Sequence, residues 1–103
     1  MAERAWYSNN LEESEALKLE KGYARMSNVT YGLNDRDLLA LQFHLSYADN
    51  RATNWQLTNE KDIKQLFIQT KKTEVSDLED TVVEVYNEGN LLRGISVNPN
   101  LVR

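Results

Sequence analysis

The chain contains no cysteine, one proline, four glycines and a single histidine. The lack of cysteine rules out a disulfide framework, any thiolate metal site and a cysteine nucleophile. With so few glycines there is no phosphate-cradling P-loop, no dinucleotide fingerprint and no Gly-x-Ser-x-Gly nucleophile elbow. No stretch approaches the roughly 18 apolar residues of a membrane span. The N-terminus lacks the basic and apolar segments of a secretory signal, so a cytoplasmic address is expected. A basic excess is missing as well. Sixteen Asp and Glu against twelve Lys and Arg leave a net charge of −4, which argues against long-range attraction to nucleic acid.

What is present points to one folded domain. A chain of 103 residues that is 41% hydrophobic, with nine aromatics and 27% charged residues, has the makings of a modest core. The clearest pattern lies between Asp37 and Tyr47. There Leu39, Leu41, Phe43, Leu45 and Tyr47 fall on alternate positions, with Ala40, Gln42, His44 and Ser46 between them. Side chains alternate across a strand, so this run predicts a half-buried β-strand with a polar outer face.

Around it, Leu17 to Leu33 reads as one long or bent strand with Gly22 as a candidate bulge, and Met1 to Ala16 as a loosely held arm with a short helical turn after Asn10. Turns are expected at 34–37 and 48–51, followed by a shorter strand with Trp55 and Leu57. The period then changes. Ile63, Leu66 and Phe67 stand at i, i+3 and i+4 behind Asn59, which predicts a helix over about 59–72 with acidic residues at its start and Lys71 and Lys72 at its end. A brief helical turn near Ser76 precedes a strand at 81–86, a turn at 87–90 and a last strand at 91–97, closed by Pro99. The result is an α+β fold, β-β-β-α-β-β, with an antiparallel sheet of about five strands and one main helix on one face. The arm spans 1–16 and the domain 17–103.

This order, together with the segment Thr73-Glu74-Val75-Ser76-Asp77-Leu78-Glu79-Asp80-Thr81-Val82-Val83-Glu84-Val85, resembles small phage proteins of the Thoeris anti-defence group. The comparable stretch runs from Lys21 to Val97. The resemblance implies a phage accessory protein that acts by binding and is not an enzyme, sequestering a cyclic ADP-ribose-type signal in the host cytoplasm. Members carry a glycine-rich segment near the third strand where this chain has Arg51-Ala52-Thr53-Asn54-Trp55-Gln56-Leu57, so no functional residue is carried across.

The residues themselves suggest candidate surfaces. Arg51 near Trp55, and Arg93 near Tyr86, each offer a cation and a flat ring to a nucleotide-like ligand. His44 is the only candidate general base, and it sits on the polar strand face. The acidic groups Asp35 with Asp37, and Asp77 with Glu79 and Asp80, fall in turns and helix starts where capping accounts for them. No catalytic residue, metal or cofactor is therefore expected. A second sheet face carrying Met26, Leu38 and Ala40, and edges with little proline to blunt them, predict a homo-oligomer. The leading expectation is an accessory protein that sequesters a nucleotide-like signal or blocks a host defence protein; the alternative is a protein-interaction or scaffold module acting through the exposed sheet face or edge.

Overall fold

A computed structural model describes residues 6–97. It is an α+β fold: a five-stranded antiparallel sheet in the order β3-β2-β1-β4-β5, with one main helix. The strands are β1 (Glu20–Leu33), β2 (Leu39–Tyr47), β3 (Ala52–Leu57), β4 (Val82–Glu88) and β5 (Leu91–Ser96). A four-residue helix α1 (Glu13–Ala16) precedes β1, and α2 (Glu60–Thr70) joins β3 to a 3₁₀ turn at Val75–Leu78. The expected terminator Pro99, with Asn98 and Asn100, lies outside the described residues.

The central strand β1 switches face part-way along. Ser27 pairs with His44 and Thr30 with Gln42, so two residues of β1, Asn28 and Val29, oppose Phe43 alone. Asn28 takes φ 52°, the left-handed conformation that an asparagine tolerates in such a bulge. Before the bulge Ala24 and Met26 face the core, and after it Val29, Tyr31 and Leu33 share that side with Leu41. Two expectations are corrected here. The bulge is at Asn28 and not at Gly22, and Met26 is fully buried in the core and does not lie on the second face.

The core lies between this face and α2. Met26, Leu41, Leu45, Leu57, Leu66, Leu78, Val83 and Ile95 are all but sealed from solvent. Each such side chain contributes roughly 1.5–3 kcal/mol on burial. Asn59 caps α2 by accepting the Lys61 backbone N–H at 2.9 Å. The helix ends because Lys71 adopts φ 60°, which lets the Lys72 N–H reach the Phe67 carbonyl at 3.2 Å. The long β2 pattern is only partly spent on the core: Leu41, Phe43 and Leu45 are buried, whereas Leu39 at the hairpin end is 54% exposed.

The expectation of a loosely held arm is also corrected, because residues 6–16 are bound to the sheet. Tyr7 bridges to Ser96, the Ser8 N–H donates to the Ile95 carbonyl at 2.9 Å, and the Ile95 N–H donates back to the Ser8 hydroxyl at 2.9 Å. This covers the outer edge of β5. Trp6 turns to the helix side, its indole N–H donating to Asp62 at 3.3 Å, and the Asn9 N–H donates to the second oxygen of the same carboxylate at 3.0 Å. On the opposite face Leu11, Ala16, Tyr7 and Leu19 pack around Tyr86. β1 accordingly starts at Glu20 and not at Leu17, whose side chain is exposed after α1.

Asp62 is therefore the link between arm and helix. Asp62→Ala strands two donors, at a cost of about 1–3 kcal/mol. The arm should open first, so trypsin is expected to cut at Lys18 several-fold faster while far-UV circular dichroism stays unchanged. Cleavage at the wild-type rate would show that the carboxylate does not hold the arm.

Candidate functional site

The second face of the sheet divides in two. Over β4 and β5 it is roofed by the arm, as Gly94 shows: a Cβ there would lie 3.0 Å from the Ser8 carbonyl oxygen and 3.3 Å from Leu11. Over β1, β2 and β3 no element of the described chain covers it. The residues presented there are set by register. Thr30 pairs with Gln42, Gln42 with Gln56, and His44 with Asn54. Gln42 and His44 are half-buried, whereas Thr30, Asn54 and Gln56 are exposed. With Asn28, Asn34 and Asp35 these residues line one side of an open concavity of about 960 Å³, which Asn9, Leu33, Phe43, Trp55 and Thr58 also border.

Hydrogen bonds already order this surface. Asn54 Oδ1 lies 3.0 Å from His44 Nδ1, and the Asn34 amide donates to Gln56 Oε1 at 3.2 Å. Asn34 also fixes its own loop, its Oδ1 accepting from the Arg36 and Leu38 N–H groups at 2.8 and 3.1 Å. Apart from the Asp35 carboxylate at its rim, the tract is thus a field of amide, hydroxyl and imidazole groups, each with donor or acceptor capacity left over. Two cations of β1 lie on the same face: Lys21 pairs with Glu84 at 2.6 Å, and Arg25 donates to the Asp80 carbonyl at 3.3 Å.

The four residues singled out from the sequence do not converge. Arg51 lies in the turn before β3, its guanidinium carbon 5.2 Å from the centre of the Tyr47 ring and its Nε 2.7 Å from Asp49. That contact, through the hydrogen bond from the Arg51 backbone first of all, holds the Asp49 carboxyl below its usual range. Trp55 is on the core face of β3 opposite Phe43, partly buried, with its indole N–H lacking an acceptor among the described residues. Tyr86 is buried under the arm with Tyr7 edge-on at 5.3 Å, and Arg93 pairs with Glu88 at 3.4 Å. A small cleft does join Arg51 and Tyr47 to Glu20, Gly22 and Asn87.

His44 stands in the amide field, and Asn54 is its hydrogen-bond partner. The acidic groups serve the backbone. Glu79 Oε1 accepts the Val29 N–H of the bulge at 3.1 Å, Asp80 at φ 65° donates its N–H to Met26, and Asp37 at φ 60° closes the hairpin turn. Asn34, Gln42, Asn54 and Gln56 escaped notice as a set. Their signal was the same alternation that revealed the strands: the positions between apolar residues carry Gln42, His44 and Ser46 in β2 and Asn54 and Gln56 in β3, with no Asp, Glu, Lys or Arg among them. No protein-family model, no curated protein and no solved structure matches the chain.

Under the arm the electrostatics favour one pH direction. Burial, ahead of the neighbouring Glu84, pushes the Tyr86 phenol well above the ordinary tyrosine range. The Glu84 carboxylate, 2.6 Å from Lys21 Nζ, raises the lysine through its hydrogen bond and its charge. Both groups hold protons more tightly folded than unfolded. Their stabilisation is complete below the ordinary values of 10.0 and 10.5 and is lost as pH rises through the folded ones. Absorbance at 295 nm should show one tyrosine ionising only as the protein unfolds at alkaline pH, a step that Tyr86→Phe removes. Smooth titration of every tyrosine in the native state would contradict the burial.

Proposed function

We propose that this chain is a non-catalytic interaction module that binds another protein through the amide-lined sheet face over β1, β2 and β3. The observation that carries this reading is the division of the second face. The arm roofs the apolar half, and the amide-rich, hydrogen-bonding half stays open among the described residues. A protein surface suits such a tract, because peptide groups and polar side chains match amides without demanding an opposite charge, and interfaces bury about one hydrogen bond per 100–200 Å². Phosphate recognition would require charge-assisted donors. Here Lys21, Arg51 and Arg93 are paired with Glu84, Asp49 and Glu88.

Photo-cross-linking from position 42 or 44 tests the proposal. A probe replacing Gln42 or His44 should capture one protein stoichiometrically, while the same probe at Lys64 on exposed α2 should not. Gln42→Lys should abolish the capture with the melting temperature kept. Equal labelling from position 64, or capture that survives Gln42→Lys, would dismiss the face as the binding surface.

A second reading keeps the nucleotide-like ligand that the anti-defence resemblance implies. It rests on the Arg51 guanidinium over the Tyr47 ring, with the Asn87 amide in the same cleft. A cation beside a flat ring can take a phosphate and a base together. On this reading the protein sequesters a cyclic nucleotide or ADP-ribose-type signal in a host cytoplasm. A thermal-shift screen with those compounds decides it, since a ligand at a hundredfold excess over its dissociation constant stabilises the native state by about 2.7 kcal/mol. A shift abolished by Arg51→Ala supports it, and flat curves remove it.

A further inference from the structure

The two edges of the sheet are treated differently. β5 is closed by the arm through the Tyr7–Ser96 bridge and the paired Ser8–Ile95 bonds. β3, the other edge, has nothing beside it among the described residues. Natural edges are blunted by charge, proline, bulges or inward-pointing charged residues. β3 reads Ala-Thr-Asn-Trp-Gln-Leu, without a charge or a proline, and its pairing to β2 runs through six consecutive positions with no register shift. The ladders of β1 with β2 and of β4 with β5 both contain one.

The exposed backbone groups follow from the ladder. The Tyr47 N–H donates to the Arg51 carbonyl at 2.8 Å, which marks these as positions where the two strands turn their backbone groups towards each other; the Arg51 N–H itself donates to the Asp49 carboxylate at 3.1 Å. In an antiparallel pair such positions alternate. Thr53, Trp55 and Leu57 therefore bond to β2, and the N–H and C=O groups of Ala52, Asn54 and Gln56 point away from the sheet. Among the described residues these groups meet a 3.4 Å bond from the Thr53 hydroxyl to the Asn54 carbonyl and nothing further.

We propose that β3 pairs antiparallel with β3 of a second copy of this chain about a two-fold axis, joining two five-stranded sheets into one of ten strands with Trp55 opposite its own symmetry mate. The inference is independent of the reading of the polar face. A second copy fits because the edge is self-complementary. Residues opposite each other in an antiparallel ladder share a face, so a two-fold axis must relate positions of the same parity. Centring on Trp55 sets Asn54 against Gln56 on the amide face and Thr53 against Leu57 on the core face. It also places the outward groups of Ala52, Asn54 and Gln56 where they bond across the axis. Centring on Asn54 would instead set Leu57 against Arg51. The strand ends complement each other as well: Arg51 of one copy comes opposite Asn59 of the other, one residue from Glu60, and all three are exposed. Trp55 gains an aromatic neighbour at the closely spaced, non-hydrogen-bonded position. Its indole N–H is buried without an acceptor among the described residues, and the partner strand brings new acceptors to that edge.

Sedimentation equilibrium of the full chain over a wide concentration range is the test, with amide hydrogen exchange on the same samples. The expected species has twice the 11.9 kDa chain mass. The amides of Ala52, Asn54 and Gln56 should be protected in it and should exchange fast on dilution to monomer. The Asn54→Lys and Gln56→Lys double variant sets like charges opposite each other and should be monomeric, with unchanged far-UV circular dichroism. Asn54→Pro removes an outward N–H that β2 does not use and should act alike, which keeps the test open if the lysine variant fails to fold. A monomer at every concentration, a dimer whose three edge amides still exchange fast, or a dimer that survives both variants would each overturn the proposal.

Discussion

The fold depends on one extra residue in its central strand. β1 pairs with β2 on one side and β4 on the other, so every register in the sheet passes through it. Without the bulge at Asn28, the side that buries Ala24 and Met26 would present Asn28, Thr30 and Gly32 beyond the bend, and Val29, Tyr31 and Leu33 would face outward. A slip of one residue reverses every side chain of a strand. The bulge is held from outside the strand: Glu79 accepts the Val29 N–H at 3.1 Å, while Met26 exchanges backbone bonds with Asp80 and Thr81 at 2.8 and 2.9 Å. The segment after the 3₁₀ turn thus does more than connect α2 to β4. It fixes the point at which the central strand changes face.

That switch also determines what the second face can be. Because the apolar residues of β1 follow the bulge onto the core side, Thr30 and Gly32 are left opposite Gln42 and Ala40, and the outer surface of the first hairpin is polar or small. At the other end no such relief exists. Tyr86 is large, Gly94 is bare, and the sheet there must be roofed. Leu11, Ala16, Leu19 and Tyr7 do this from within the chain. One sheet face therefore carries a second small core and an open polar field side by side, and a single helix on the far side suffices.

Period-two and period-3.6 patterns were legible in the sequence where one face is buried throughout. β2, α2 and the β4–β5 hairpin appear close to where the alternation of Leu39 to Tyr47, the spacing of Ile63, Leu66 and Phe67, and the Asn87–Asn90 turn place them. The pattern misled where parity changes. Tyr23, Val29, Tyr31 and Leu33 are all odd positions and suggest an unbroken strand, while the contrary signal, Ala24 and Met26 at even positions, rests on two residues. Gly22 drew the bulge because glycine tolerates unusual φ, but an asparagine with a distant carboxylate does the same work. The site was less legible still. Trp55 and Tyr86 are aromatic because they pack, and their nearest arginines in sequence point into other pairings, so proximity along the chain did not become proximity in space.

The two edges of the sheet are protected unequally. An edge strand exposes backbone groups that bond water when alone, and covering them with an arm costs the conformational entropy of ordering that arm, about 1–2 kcal/mol of backbone freedom per residue. The chain orders its arm over β5, where the same residues also roof Tyr86 and anchor to Asp62, so one ordered segment satisfies an edge, a second core and a buried carboxylate. No described segment is spent on β3. Nor is the edge defended, although one lysine at Asn54 or Gln56 would do it at little energetic cost on an exposed position. An undefended strand beside a field of amides is most simply understood as a surface kept free for pairing, with the neighbouring polar face extended across whatever pairs with it.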